Sequence, residues 1–185
     1  MNYTYLLLHP SSSRFVEKIL EEILYNGFQI FGIYRVDEWY KVTEEIYKNS
    51  YIKSRTVRQH VIAQAFINLT LFGSCGMLIV LSKKNKLDLE LVKDTLALKV
   101  KIRNFLYERT NDIMKIYIDI SKIENIEKEE NENNYEKIFL SFIHCPDTIE
   151  QYKQDFLFFK DSIMKKGKLD EKDIKTMKAY QTFLI

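Results

Sequence analysis

The alternation between two hydrophobic periodicities in the first 36 residues constrains the fold more than any other feature of this sequence. Residues 3–8 form a short aromatic and aliphatic run that ends at His9-Pro10, which predicts a buried strand. From residue 14 to residue 26 the apolar side chains recur at helical spacing, and Gly27 then favours a helix stop. Residues 28–36 are again rich in Phe, Ile and Tyr. The chain therefore opens as strand, helix, strand.

The rest of the chain continues this mixture of elements. Helical spacing predicts helices over residues 41–48, 56–69, 88–98, 147–163 and 170–180, and apolar or alternating runs predict strands over 77–81, 113–120 and 138–143. In the helix over 88–98 we expect Leu89, Val92 and Leu96 to face inward and Lys93 to lie on a different face. This order predicts an α+β sandwich, with helices packed against an antiparallel sheet.

The length of 185 residues predicts one main domain. Residues 122–137 are rich in Glu, Asn and Lys and read as a solvated insertion. We therefore assign residues 1–160 to the domain, with that insertion, and residues 161–185 to a C-terminal helical extension.

Charge and composition exclude several classes of function. The chain has 28 Lys plus Arg against 26 Asp plus Glu. Because these charges nearly balance, a nucleic-acid partner is not expected. No Gly-x-x-x-x-Gly-Lys or Gly-x-Gly-x-x-Gly loop is present. Two cysteines form no disulfide framework and lack zinc-ligand spacing with the three histidines, so no metal site is expected. With neither a membrane-spanning run nor a signal-peptide pattern, we expect a cytoplasmic protein without a membrane partner.

Two of the three histidines are candidates for chemistry, whereas His60 lies in a helical stretch and is interpreted as a packed or solvent-facing residue. His9 ends the first strand and precedes three serines, residues 11–13, at a helix start that would attract a phosphate. The alternative is that Ser13 merely caps the helix.

His144 is the stronger candidate because of its neighbours. It ends the apolar run 138–143 and precedes a helix that carries Asp155, whose carboxylate could fix the imidazole tautomer and leave the other nitrogen as a nucleophile. We expect Cys145, its neighbour in the chain, to point away from it and to be buried. A basic cluster lies within about one loop's length after residue 98: Lys99, Lys101, Arg103 and Arg109.

Several segments resemble the nucleoside diphosphate kinase family, in the family's order. Residues 139–159, FLSFIHCPDTIEQYKQDFLFF, resemble its active-site segment, in which Asn-x-x-His-Gly-Ser-Asp-Ser precedes a helix with a glutamate. Residues 5–12, YLLLHPSS, resemble its first strand and Lys-Pro-Asp-Gly, and residues 19–33 resemble its first helix and second strand. Residues 72–80, FGSCGMLIV, resemble its Ser-Gly-Pro strand, and residues 91–98 resemble the helix before its Gly-Glu-Thr-Asn loop.

This resemblance implies a ferredoxin-like sandwich and transfer of a terminal phosphoryl group between nucleoside triphosphates and diphosphates through a phosphohistidine. It implies Mg²⁺ on the phosphates and assembly as a homo-oligomer. By position, His144 would be the nucleophile and Asp155 the residue that orients it. The implied phosphate-binding residues are His9, Lys93, Lys99, Arg103 as a rival to Arg109, and Ser141.

The sequence also departs from that family. His9 stands where the family has a lysine, Ser141 where it has an asparagine, and Cys145-Pro146 replace Gly-Ser; residues 97–100 replace the Gly-Glu-Thr-Asn loop. A neutral histidine gives a phosphate less dependable charge than a lysine does. Two alternatives therefore stand beside a diverged phosphotransferase: a non-catalytic nucleotide-binding or assembly module, and a pocket that acts on another phosphorylated metabolite.

Overall fold

A computed structural model describes residues 2–13, 15–48, 75–109 and 143–182. Its strands are β1 (Tyr3–Leu8), β2 (Gln29–Val36), β3 (Gly76–Ser82) and β4 (Ile143–His144). Its helices are α1 (Pro10–Ser13), α2 (Val16–Tyr25), α3 (Trp39–Lys48), α4 (Asp88–Arg109), α5 (Ile149–Ser162) and α6 (Glu171–Thr182), with a 3₁₀ turn at Met164–Lys166.

The described strands form one sheet in the order β2-β3-β1-β4, and every neighbouring pair is antiparallel. In β1 and β4, Leu7 lies opposite His144 and Leu8 opposite Ile143. This is the ferredoxin-like order, so the predicted α+β sandwich with a four-stranded antiparallel sheet is confirmed. The helix predicted over 56–69, the strand predicted over 113–120 and the insertion over 122–137 lie outside the described residues.

The two faces of the sheet bury different kinds of side chain, because neighbouring residues of a strand point to opposite faces. One, which we call the aliphatic face, packs on α2 and α4 and includes Leu6, Leu8, Ile19, Ile23, Ile79, Leu98 and Ile102. The other, the aromatic face, packs on α3 and α5 and includes Tyr5, Leu7, Tyr34, Trp39 and Phe159.

Helix α4 is longer than the sequence analysis predicts. It continues without a break past Leu98 to Arg109, so the predicted end of the helix at Leu98 is wrong and the basic cluster after residue 98 lies on the helix. The segment contains no glycine or proline to end the helix, and Ile102 and Leu106 extend its buried stripe. Leu91 faces inward with that stripe, whereas Leu89 is 53% exposed, against the prediction.

Gly76 allows α3 to approach the sheet closely. A Cβ at this position would lie 2.5 Å from the carbonyl oxygen of Leu8 and 2.6 Å from Cε3 of Trp39. The missing side chain therefore lets the indole of Trp39 pack over the end of β1, next to His9.

The chain after the 3₁₀ turn lies along the edge strand β2. The backbone N–H of Leu169 donates to the carbonyl oxygen of Ile33 at 2.8 Å, and Nζ of Lys168 donates to that of Phe31 at 2.7 Å. These bonds occupy acceptors on an edge that would otherwise be open to pairing. Among the helices that the structure describes, none is long and apolar enough to cross a membrane.

Candidate functional site

The pairing of β4 with β1 and the start of α5 together position His144. Opposite Leu7 in the sheet, its side chain lies on the aromatic face. Thr148 caps α5 by accepting a hydrogen bond from the backbone N–H of Gln151 at 3.1 Å. Gln151, Asp155 and Phe159 follow at intervals of four residues and are all buried. They therefore form the stripe of α5 that faces the sheet and His144.

Among the described residues, three polar side chains lie near Nε2 of His144. Oη of Tyr5 lies 3.2 Å away, Nε2 of Gln151 3.4 Å and Oδ2 of Asp155 3.7 Å. The Tyr5 hydroxyl also donates to Oδ2 of Asp155 and so bridges the histidine and the carboxylate. His144 is 6% exposed, Asp155 7% and Tyr5 0%. The predicted pair His144–Asp155 is thus brought together, with a tyrosine between the two groups.

His9 lies at the end of β1 as a buried, neutral side chain. Its ring packs against Trp39 with 4.5 Å between centroids. Burial holds the pKa of His9 well below its usual value of 6.5, and charge on His144 and Arg103 lowers the pKa further. Within the described ranges, Nε2 of His9 and Nε1 of Trp39 are buried without a hydrogen-bond partner. His9 could therefore accept or donate a hydrogen bond to a bound group, but at neutral pH it brings no charge.

The hydroxyls of Ser12 and Ser13 turn back to the end of β1. The hydroxyls of Ser12 and Ser13 donate back to the carbonyl oxygen of His9 at 2.9 and 3.1 Å. Ser13 does not cap the following helix, because Phe15 holds the N-cap position of α2 and makes no side-chain capping bond. The alternative that Ser13 is a helix cap is therefore wrong.

Two cations of α4 flank β4. Nζ of Lys99 donates to Oδ1 of Asp147 at 3.1 Å, and Nη2 of Arg103 donates to the carbonyl oxygen of Ile143 at 2.9 Å. Cys145 packs in the aliphatic cluster, where burial raises the pKa of its thiol to about 11. Cys145 and His144 therefore point to opposite faces, as predicted, and the cysteine is an uncharged packing residue.

The structure brings only some of the predicted residues together. His144, Asp155, His9 and Arg103 lie at one corner of the sheet, and Lys99 lies beside β4. Lys93 is exposed on α4, whereas Val92 is buried, which is consistent with the prediction that the two lie on different faces. Arg109 is the last residue of α4, and Ser141 lies outside the described residues.

Tyr5, Gln151 and Trp39 belong to this corner and were missed by the sequence analysis. Tyr5 lies 139 residues from His144 in the chain, and a tyrosine in an apolar strand is typical of a core position. The available signals were spacings. Tyr5 lies four residues before His9, which directly follows β1, and Gln151 lies four residues before Asp155 in the same helix.

A magnesium ion fits this corner only in company with phosphates. Within the part of the chain that the structure describes, no group of three or more His, Cys, Asp or Glu side chains could hold a metal ion. Asp155 is engaged by Tyr5, and Asp147 pairs with Lys99. Magnesium commonly uses one or two carboxylates together with water and substrate phosphates. Asp147, whose side chain is 56% exposed, is the carboxylate at this corner that could contribute.

Comparisons with known proteins find similarity in structure and not in sequence. No protein-family model matches the chain, and no curated protein matches its sequence. Among solved structures, the chain is similar to the nucleoside-diphosphate kinase from Borrelia burgdorferi, in a transition-state mimic with bound vanadate and ADP. The similarity covers 93% of this chain and 89% of that chain, with 10% sequence identity and a TM-score of 0.49.

Proposed function

We propose that this protein is a diverged nucleoside diphosphate kinase-like phosphotransferase in which His144 carries the phosphoryl group. The observation that supports this most directly is the buried arrangement of His144, Tyr5 and Asp155, because it holds Nε2 of the ring beside a hydroxyl and a carboxylate. A histidine oriented in this way is a suitable nucleophile. The nucleotide as substrate comes from the sequence resemblance of residues 5–12 and 139–159.

The proposed reaction has two displacements. A lone pair on the His144 ring attacks the γ-phosphorus of a nucleoside triphosphate, and the bond from that phosphorus to the bridging oxygen breaks to release the diphosphate. A terminal oxygen of a second nucleoside diphosphate then attacks the phosphohistidine, and the P–N bond breaks to regenerate the imidazole. Mg²⁺ bound to the nucleotide would neutralise phosphate charge.

The chain's own contribution to this transfer is charge and position. Arg103 and Lys99 of α4 would supply positive charge to the phosphates, and His9 would supply a hydrogen bond. Lys93, Arg109 and Ser141 enter the proposal by resemblance alone. A homo-oligomer and a cytoplasmic location belong to the same proposal.

A second candidate is nucleotide binding without turnover. Three observations favour it: His144 is 6% exposed, Lys99 is already paired with Asp147, and the neutral His9 stands where the family has a lysine. A pocket for another phosphorylated metabolite is a variant of this candidate. Both candidates predict ligand binding at this corner, and they differ in whether phosphate is transferred to the protein.

Phosphate transfer to the protein separates the candidates. The full chain is incubated with Mg²⁺ and ATP or GTP labelled at the γ-phosphate, and the reaction is stopped in alkali, where phosphohistidine is stable. We expect label that is lost in acid and absent from His144→Asn. The matched control is His60→Asn, which changes the histidine that the sequence predicts to be packed or solvent-facing, and it should be labelled like the wild type.

Two outcomes would contradict the first candidate. If the wild type binds nucleotide by calorimetry but never takes up label, nucleotide binding without turnover is the better account. If His144→Asn keeps the label, the phosphate is carried by another residue. Label that appears with another phosphorylated donor and not with nucleotides would favour the repurposed pocket.

A further inference from the structure

The hydroxyl of Tyr5 touches both members of the buried pair at the corner of the sheet. We infer that Tyr5 is a positioning residue that fixes the tautomer of His144, with the proton on Nε2 and the lone pair on Nδ1. Its importance for transfer rests on the proposed function, whereas the tautomer itself does not. Neither the composition nor the resemblance points to this residue.

The first step of the argument is a count of protons. A tyrosine hydroxyl has one proton, and that of Tyr5 is directed to Oδ2 of Asp155, which as a carboxylate can only accept. The 3.2 Å contact from Oη to Nε2 of His144 is then favourable only when the nitrogen donates and the tyrosine oxygen accepts. A neutral imidazole with its proton on Nε2 carries its lone pair on Nδ1.

Gln151 competes with Tyr5 for the same ring nitrogen. Its Oε1 accepts from the backbone N–H of Asp147 at 3.0 Å, so its amide nitrogen faces Nε2 of His144 at 3.4 Å. A donor in that place would favour the opposite tautomer, with the proton on Nδ1. The contact is long and neutral, whereas the Tyr5 hydroxyl is anchored on a carboxylate, and hydrogen bonds to ionised acceptors are roughly twice as strong. Tyr5 therefore decides the tautomer.

The position of the hydroxyl is set by rigid neighbours. Tyr5 is fully buried in β1, which pairs with β3 along its whole length and with β4 at Leu7 and Leu8. Phe159 packs edge-on against the Tyr5 ring with 4.8 Å between centroids. The Tyr5→Phe variant keeps this ring packing and removes a single oxygen, so it isolates the hydroxyl.

Nitrogen NMR reads the tautomer without any reaction. With ¹⁵N-labelled histidine, two-bond ¹H–¹⁵N correlations at a pH where the ring is neutral distinguish a protonated nitrogen from an unprotonated one, and His144→Asn assigns the signals. We expect Nε2–H in the wild type and the Nδ1–H form in Tyr5→Phe. Removing the competing donor as well, in Tyr5→Phe with Gln151→Met, should return the proton to Nε2, since the carboxylate of Asp155 lies 3.7 Å from that nitrogen and favours its protonated form.

The matched control is Tyr34→Phe, which removes a hydroxyl from another buried tyrosine of the aromatic face and should leave the signals of His144 unchanged. A wild type with the proton on Nδ1, or a Tyr5→Phe variant with an unchanged tautomer, would overturn the inference. Thermal unfolding of each variant verifies that the fold is retained.

Labelling then separates this inference from the proposed function. If His144 carries phosphate, Tyr5→Phe should slow labelling by about 10- to 100-fold, the usual effect of a misplaced reacting group. If NMR shows the predicted tautomers but the protein is never labelled, the inference about Tyr5 holds and the proposed phosphate transfer is rejected. Labelling at the wild-type rate in Tyr5→Phe would reject the positioning role and leave the transfer standing.

Discussion

The two faces of the sheet use the same strands for different purposes. The aliphatic face is filled by Leu, Ile and Val from β1, β3, α2 and α4, whereas the aromatic face carries tyrosine, tryptophan, histidine and a carboxylate. Tyr5, His144 and Asp155 of the aromatic face are hydrogen-bonded to one another, which offsets the desolvation cost of burying them. The aliphatic face therefore holds the scaffold together, whereas the aromatic face carries the side chains of the proposed site.

Residues 143–145 illustrate this division over a single strand end. Ile143 and Cys145 pack in the aliphatic cluster, and His144 between them meets Tyr5 and Asp155 on the other side. The thiol of Cys145, whose pKa burial raises to about 11, stays protonated at neutral pH. Cys145 and His144 are both reactive types of side chain, but they lie in different environments because neighbouring residues of a strand point to opposite faces of the sheet.

The largest expected effect is on labelling when the carboxylate of the aromatic face is neutralised. Asp155→Asn removes the charged acceptor of the Tyr5 hydroxyl, so the proton on Nε2 of His144 loses its anchor. We expect the rate of phosphate labelling to fall by on the order of 10²- to 10⁴-fold. Asp161→Asn, an exposed aspartate of the same helix, is the control and should label normally. If Asp155→Asn were labelled at the wild-type rate, the carboxylate of Asp155 would have no role in the transfer.

The opposite pattern is expected for the aliphatic face. Ile79→Ala, in the centre of β3, should lower the free energy of unfolding by about 2–5 kcal/mol, because it leaves a cavity in a fully buried cluster. Labelling of the folded protein should be unchanged. Leu7→Ala, opposite His144, should reduce both stability and labelling. Urea unfolding measures the stability of each variant, and labelling is then compared at equal concentrations of folded protein. If Ile79→Ala lost labelling without losing stability, the division of roles between the two faces would be wrong.

Close packing of Trp39 against the sheet gives a smaller effect. Gly76→Ala would push a Cβ into the carbonyl of Leu8 and the indole, and we expect a loss of about 1–3 kcal/mol in unfolding free energy. The comparison variant is Gly167→Ala, which meets nothing within 4 Å but has φ at +95° and should cost about 1 kcal/mol. If the two variants lost the same unfolding free energy, the packing of Trp39 against the sheet at Gly76 would not be tight.

The smallest effect is a pH dependence from His9. Because the pKa of His9 is held well below 6.5 in the folded protein, the unfolded chain binds a proton first as the pH falls. The stabilisation is present above pH 6.5 and is lost below it, by at most about 1.4 kcal/mol per pH unit. His9→Gln should flatten the dependence of unfolding free energy on pH between 6.5 and 5. An unchanged slope in the variant would show that His9 is not the group that titrates.

Much of the scaffold could be predicted because its signals are local. The periodicity of residues 3–36 predicted β1, α2 and β2, and the apolar run 77–81 predicted β3. The length of α4 was missed since the prediction stopped at Leu98, although Ile102 and Leu106 carry on the same stripe without a glycine or proline. A charged segment in the middle of a helix was interpreted as the end of that helix.

The candidate site was only half predictable, for a physical reason. His144 and Asp155 lie eleven residues apart at a strand–helix junction, so local spacing brought them together. Tyr5 reaches them through strand pairing over 139 residues, and no local pattern encodes that contact. Lys99 and Arg103 were recognised as cations, but their pairing with Asp147 and the carbonyl of Ile143 depends on how α4 packs beside β4.

The most direct test of the account is the position of the phosphate on the protein. After brief incubation with Mg²⁺ and nucleoside triphosphate, the chain is denatured in alkali and digested, and the phosphohistidine isomer in the peptide that contains His144 is identified. The account predicts phosphate on Nδ1, because Tyr5 and Asp155 hold the proton on Nε2. Phosphate on Nε2, on another residue, or on none would contradict it.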